Sequence, residues 1–452
     1  MALKQSLVER SIQETVGMVI KKSLTESNGC WWMLAETEQA GIRLVHVFER
    51  ESSAAALFQQ ERFLETDGMK LIVAPLNANN AAVLRRFLKW TAPGACGTKG
   101  MSIGVSDYLG AAAAFAAAPF VGKNMKPVLV DFSAADSLTS QRTFIEAVDT
   151  ATWGIFSSGF REGYSANAAG LKTEEDIVKA LLYGYSMIGL DCSDKIDVSI
   201  EALTGDAVDK KFFALNEAFC AAVHASYLNT EFAVGEDAIV FGEEQLHRII
   251  LEYGEAIMHI QFLYNSYLKN TPWEIDFELT LNKPGKMMTP QEHYLLANEL
   301  QRNHIKLSTL CFDVLDVAEQ KDLQLHCRIA EIFGHRLSFA NAEFLSAPAE
   351  IGKALKGRVH FKLNNLLWFS GLQCIAELDR TLYARITSAA GVAGQDEPKS
   401  NAELKALATG CRQVLTAEEG KLKEAMQSFF EVHAGEYADA IEKNLREFFS
   451  RL

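Results

Sequence analysis

A (β/α)8 barrel, carrying an N-terminal mixed α/β accessory region and a C-terminal helical extension, is the fold class this sequence predicts. Three observations carry that expectation. Short apolar runs recur eight times along the chain. Most are continuous rather than alternating, as parallel strands buried on both faces require. Segments with helical spacing separate them, so each strand can return to the same sheet through a helix and the sheet can close. A doubly wound open sheet is the alternative. The expected division is an accessory domain over residues 1–85, a barrel over 86–395 with a helical insertion near 195–270, and helices packing on the barrel over 396–452.

The elements follow in chain order. "CWWMLA" and "IRLVHVFE" read as strands with a turn at Gly41, and "GMKLIVAP" as a third strand closed by Pro75. "NNAAVLRRFLKW" has helical spacing and an Asn to cap it. The eight barrel runs are "WTAPGACG", "KPVLVDFS", "TWGIFSS", "YSMIGLDC", "EIDFELTL", "HIKLSTLCF", "HRLSFAN" and "RVHFKLN". Between the third and fourth, "SANAAG" reads as a loop of small neutral residues. "TEEDIVKALLYGY" is a helix opened by Thr173 with Asp176 three residues on. "TPQEHYLLANELQRN" is a helix opened by Thr289, with Pro290 in its first turn. About 80 residues separate the fourth run from the fifth, too many for one connecting helix. The insertion they form has helical spacing over 208–232 and 243–269. "AGQDEPKSN", from Ala393, reads as a loop, and the tail from Thr416 as two helices.

Composition narrows the function classes. The chain has 452 residues, is 48% hydrophobic and carries a net charge of −14. An acidic surface repels phosphate backbones and argues against a nucleic-acid partner, though a locally positive pocket can still take a small anion. The 8 cysteines lie scattered, with no CxxC, and read as reduced thiols of a cytoplasmic protein. The longest apolar run, "LGAAAAFAAAPFV", is too short to span a bilayer, and no membrane partner is expected. No secretory leader is evident, because Glu9, Arg10 and Glu14 interrupt the first apolar stretch. Nothing here assigns an oligomeric state.

In such a barrel the chemistry sits at the carboxyl ends of the strands. That rule selects Cys96 and Lys99 after the first run, Asp131 at the second, and Ser157 and Ser158 at the third. Asp191 and Asp194 follow the fourth, Glu278 lies in the fifth and Asp313 follows the sixth. Asn341 ends the seventh, and Lys362 with Asn364 ends the eighth. Asp131 and Asp313 could instead cap helices. A charge within a strand, as at Glu278 and Lys362, must be paired when buried and so marks a site. His293, just inside the helix after the fifth run, could point into the same bowl. His360 lies two residues before Lys362, on the same side but deeper. No HExxH or HxH occurs, so spacing alone does not indicate a metal. The glycines of "GACGTKGMSIG" match neither the dinucleotide fingerprint nor the P-loop and read as a tight turn.

At "DTATWGIFSSGFREGYSANAAG", "YSMIGLDCSDK", "IDFELTL", "EHYLLANELQRN", "RLSFANAEF" and "VHFKLN" the chain resembles the tagaturonate epimerase family. The resemblance runs from about Pro93 to Leu382, and "ATWG" and Glu274 to Asn303 are its most specific parts. It implies interconversion of the keto-hexuronates tagaturonate and fructuronate. It also implies a divalent metal held by three histidines, and a carboxylate pair that accepts and donates a proton at one hydroxyl-bearing carbon. The proton donor falls on Glu278 and one metal ligand on His293. The other two ligands and the proton acceptor fall on Ala169, Gly170 and Ala340, with Asn167 at a further aspartate position. Asp191, Asp194 and Lys362 match. "TKGMS" stands where the family has an Asp-Arg pair. These replacements predict a diverged member that acts on or binds a sugar acid, with the parent epimerisation impaired. Lys362, Asp191, Asp194 and Asn364 are its expected substrate contacts. The alternative is a non-catalytic barrel that binds a sugar acid or a protein partner.

Overall fold

A computed structural model describes residues 3–314, 322–392 and 401–452. The sequence-expected loop from Ala393 lies outside the described residues, apart from its last member, Asn401, which opens a helix.

The N-terminal region is a six-stranded antiparallel sheet. Its central strands are Cys30–Thr37, Gly41–Phe48 and Met69–Ala74. "CWWMLA" is continuously apolar because both faces of this sheet are covered. Met33 and Ala35 pack with Val8 and Ile12 of helix Gln5–Thr15. Trp32 and Leu34 pack on the other side with Leu84 of helix Ala78–Phe87. Asn77 caps that second helix by accepting from the Asn80 N–H. Phe156, from a barrel helix, completes this second core and ties the sheet to the barrel.

Eight parallel strands close into a barrel. They are β1 (Met101–Val105), β2 (Met125–Ser133), β3 (Ser165–Leu171), β4 (Met187–Asp191), β5 (Asp276–Thr280), β6 (Thr309–Asp313), β7 (Arg336–Ala340) and β8 (Val359–Leu363). Each pairs in parallel with its sequence neighbours, and β8 closes the ring on β1.

Six of the eight expected runs are strands, and two are not. "WTAPGACG" precedes β1. Left-handed Gly97 (φ 70°) and Gly100 (φ 76°) turn the chain there, and "MSIGV" is the strand. "TWGIFSS" belongs to helix Phe144–Ser158. This helix carries its own signals: Thr143 and Glu146 form a capping box, and Gly159 (φ 68°) ends it. Buried Phe144, Ala147, Val148, Ala151 and Ile155 recur at helical spacing. The stretch read as a loop, "SANAAG", is β3. Alanine has little β-propensity, but this strand is crowded on both sides, with Ala166 and Ala168 fully buried.

The insertion between β4 and β5 contains α1 (Gly205–Phe213), α2 (Glu217–Tyr227) and α3 (Glu243–Leu263), with a small hairpin, Phe232–Val234 and Asp237–Ile239. Helices α4 (Pro290–Arg302) and α5 (Leu323–Phe333) follow β5 and β6. Lys283 pins the insertion by pairing with Glu252 of α3 at 2.5 Å and Glu292 of α4 at 2.6 Å. Helices Lys421–Val432 and Ala434–Ser450 form the end of the chain. They share the barrel's core cluster through Met426, Phe430, Tyr437 and Phe448.

Candidate functional site at the barrel interior

Strand alternation turns Glu278 of β5 and Lys362 of β8 into the barrel, where they are 1% and 4% exposed. The Lys362 ammonium donates to Glu278 Oε1 and lies 3.8 Å from Asp131 Oδ1 of β2. Asn167 of β3 donates from Nδ2 to both carboxylates, at 3.1 Å to Asp131 and 3.2 Å to Glu278. Ser338 Oγ of β7 donates to Glu278 Oε2 at 2.9 Å. Five strands thus supply one polar cluster in an interior that is otherwise packed.

Two glycines make room for it. A Cβ on Gly104 of β1 would lie 2.7 Å from Asp131 Oδ2 and 3.2 Å from His360 Cε1. A Cβ on Gly189 of β4 would lie 3.2 Å from Glu278 Oε1. Burial pushes the Asp131 carboxyl up to about 6; Lys362 pulls it down and Glu278 adds to the rise. For Lys362 burial opposes the charge, but the two carboxylates raise its pKa well above the ordinary lysine value. Asp131 Oδ2, Asn167 Oδ1 and His360 Nε2 are buried without a hydrogen-bond partner.

Asp131 is therefore not a helix cap. Ser133 caps the following helix, in a box with Asp136. Asp313 is tied to Asn341, whose Nδ2 lies 3.1 Å from its Oδ1. Asn341, left-handed at φ 57°, donates its backbone N–H to the Asn364 side-chain oxygen at 2.9 Å. Asp191 ends β4 half-buried, accepts from the Ser193 hydroxyl at 2.6 Å and faces Lys172 at 3.3 Å. Asp194 is exposed on the next short helix. These residues form the rim. Ala169, Gly170 and Ala340 also lie there, half-buried, at the C-terminal ends of β3 and β7.

Three expectations fail on position. Cys96 and Lys99 precede β1 and lie at the opposite, N-terminal end, where the Cys96 N–H donates to Asp276 at the start of β5. Ser157 and Ser158 end a helix rather than a strand. His293 does not reach the bowl. It is fully buried in α4, where its Nδ1 lies 2.9 Å from His326 Nδ1 and its Nε2 2.9 Å from His335 Nε2. Its ring packs near Phe312, which alternates outward from β6. Burial holds His326 down at about 4 and His335 at about 3, so this trio is neutral and closed on itself.

Sequence reasoning named Asn167 only through the resemblance and missed Ser338, Gly104, Gly189 and Glu343. Ser338 was recoverable, since it lies in phase with Arg336 and Ala340 on an established strand. The glycines were not, because their role is space left for a carboxylate from another strand. Glu343, half-buried beyond β7, accepts from the Asn365 N–H at 2.9 Å; burial pushes its carboxyl up to about 7.

The interior does not fit a three-histidine metal centre. Both nitrogens of His293 are used by other imidazoles, and an ammonium already occupies the space between the two carboxylates. Among the described residues, three ligand atoms converge only in the insertion, at His224, Glu243 and His247.

Comparison with known proteins agrees with this architecture. Residues 20–433 match the family model described as tagaturonate epimerase. The tagaturonate/fructuronate epimerase of Thermotoga maritima is 25% identical over 382 residues, covering 81% of this chain and 78% of that one. The crystal structure of fructuronate-tagaturonate epimerase from Cohnella laeviribosi with two glycerols superposes with a TM-score of 0.87 at 25% identity, covering 99% of both chains. Its native form gives 0.82 at 25% identity, over 99% of this chain and 98% of that one. A family match over most of its length, on a closed barrel with a charged interior, places this chain in the tagaturonate epimerase family.

Proposed function

We propose that this protein binds a keto-hexuronate or related sugar acid at the C-terminal mouth of its barrel, and that the epimerisation typical of its relatives is impaired in it. The observation that carries this reading is Asn167 Nδ2, which bridges Asp131 and Glu278 at 3.1 and 3.2 Å. Both carboxylates therefore belong to one floor. A two-base inversion needs an acid and a base on opposite faces of the reacting carbon. The facing group would have to come from the rim, where the positions that carry it by resemblance hold Ala169, Gly170 and Ala340, which offer only methyls and a hydrogen. Lys362, held by two carboxylates, sets the ionisation of the floor rather than gripping a substrate carboxylate. Asp191, Asp194 and Asn364 remain the rim candidates for substrate contact.

A second reading is an active sugar-acid epimerase with a rebuilt acid–base pair. The raised pKa of Asp131 and its unpartnered Oδ2 favour it, since a carboxyl titrating near 6 is suited to proton transfer. One experiment separates the two. The protein is incubated with tagaturonate or fructuronate in deuterated buffer and followed by NMR, beside a thermal-shift panel of hexuronates. Binding without deuterium incorporation or epimer supports the first reading. Catalytic deuterium incorporation that Glu278→Gln abolishes establishes the second and overturns the first. Absence of any hexuronate-dependent shift refutes both.

A further inference from the structure

The helical insertion contains a cluster outside the barrel site. Glu243 and His247 stand four residues apart on α3, which places them on one helix face. His224 projects from α2 and brings its Nε2 to 2.7 Å from His247 Nε2. One ligand atom from each of the three residues lies within 4.8 Å of the others. His247 is fully buried, His224 half-buried and Glu243 exposed, so the cluster has a dry floor and a path from solvent.

The remaining contacts prepare one nitrogen. Asp209 of α1 accepts from His247 Nδ1 at 2.7 Å. With its proton committed to Nδ1, His247 carries a lone pair on Nε2 that faces the cluster. A carboxylate behind an imidazole is the arrangement that orients and strengthens histidine ligands in metal sites. Phe212 of α1 fixes the ring planes. It stacks on His247 at 3.9 Å and 13°, and on His224 at 5.4 Å and 12°.

From this juxtaposition we infer that His224, Glu243 and His247 form a site for a borderline divalent transition ion, zinc foremost, with Asp209 as the positioning residue. Two imidazoles and a carboxylate suit zinc, with water in the fourth position. Ligand nitrogens around a tetrahedral ion at about 2.0 Å stand roughly 3.3 Å apart. The rings would therefore part by about 0.6 Å and His224 would move its proton from Nε2 to Nδ1, exchanging an N–H···N hydrogen bond for two metal bonds. The ion would clip α2 to α3 across the insertion.

The test uses the full-length, tag-free protein, stripped with chelator and titrated with zinc against a chromogenic competitor. One equivalent bound below about 1 μM is expected, with a rise in melting temperature. His224→Ala and Glu243→Ala, chosen because neither residue is fully buried, should weaken binding at least 10-fold while circular dichroism stays unchanged. Asp209→Asn should weaken it roughly 10- to 100-fold. Glu278→Gln should leave it untouched. Wild-type protein that takes up no zinc at 10 μM overturns the inference. So does binding that survives His224→Ala, or binding that Glu278→Gln removes, which would place the ion in the barrel.

Discussion

Two carboxylates two residues apart on one strand face the same interior and do different work. Asp276, at the start of β5, accepts from backbone: the Cys96 N–H at 2.6 Å and the Gly97 N–H at 3.1 Å. Glu278 accepts only from side chains, those of Lys362, Asn167 and Ser338. Asp276 therefore fastens the segment before β1 to the barrel's N-terminal end. Glu278 belongs to a network in which one ammonium and one amide are shared between two carboxylates. Burial raises the Asp276 carboxyl, and its surroundings, Arg336 and the two amides, pull it back. A cavity of about 670 Å³ opens beside Asp276 and Gly97, yet it sits at the end of the barrel away from the paired carboxylates. In parallel barrels the strand ends, not the size of a hollow, indicate where chemistry is built.

The sharpest way to break this contrast is Lys362→Met. It leaves Asp131 and Glu278 buried together without their cation and should cost about 3–5 kcal/mol in urea denaturation. A loss below about 1 kcal/mol would mean that the network is not electrostatically coupled. The pH dependence comes next. The native pKa of Asp131, about 6, lies above the ordinary 3.8, so the folded state holds the extra proton between them. Its contribution favours the fold at the acid side and fades as pH rises from about 4 to 6, by at most about 3 kcal/mol. Asp131→Asn should remove that slope; an unchanged slope in the variant would assign it to other groups. Asp276→Ala strands two amides and should cost about 1–3 kcal/mol while leaving any hexuronate shift intact. A lost ligand response there would erase the distinction between the two ends. The smallest effect is expected at Gly189→Ala, where the new Cβ meets Ala169 Cα and Glu278 Oε1, each at 3.2 Å. It should cost below about 1 kcal/mol, while Gly104→Ala, at 2.7 Å from Asp131, should cost more.

The two histidine clusters show where a sequence reading reaches its limit. His293 attracted attention as a residue near a strand end, and the fold turned it into the helix layer among His326 and His335. His224 and His247 attracted none, because 23 residues separate them and only the packing of α2 on α3 joins their nitrogens. The same applies to the barrel. Glu278 and Lys362 were legible because a charge inside an apolar barrel strand, whether it faces the interior or the helix layer, must be paired. Ser338 reads as an ordinary small polar residue, and Asn167 enters only through the resemblance, until the closed barrel turns β3 and β7 towards Glu278. The misread strand shows the converse. "TWGIFSS" was apolar enough to pass for β, and the capping box at Thr143 and Glu146 that marked it as helix lay upstream of the run itself.

By itself the sequence pointed to the barrel, to Glu278 and Lys362 as charges set inside its strands, and to the resemblance at "IDFELTL" and "VHFKLN" that leads to the family. Periodicity and the cost of burying a charge are local properties, and local properties are written in consecutive residues. Only the tertiary structure decided which groups meet: Asn167 between two carboxylates, glycines yielding space to Asp131 and Glu278, and two distant imidazoles sharing a hydrogen bond. Those meetings depend on strand register and helix packing, which place side chains far apart in the chain within an ångström-scale tolerance that no spacing rule encodes.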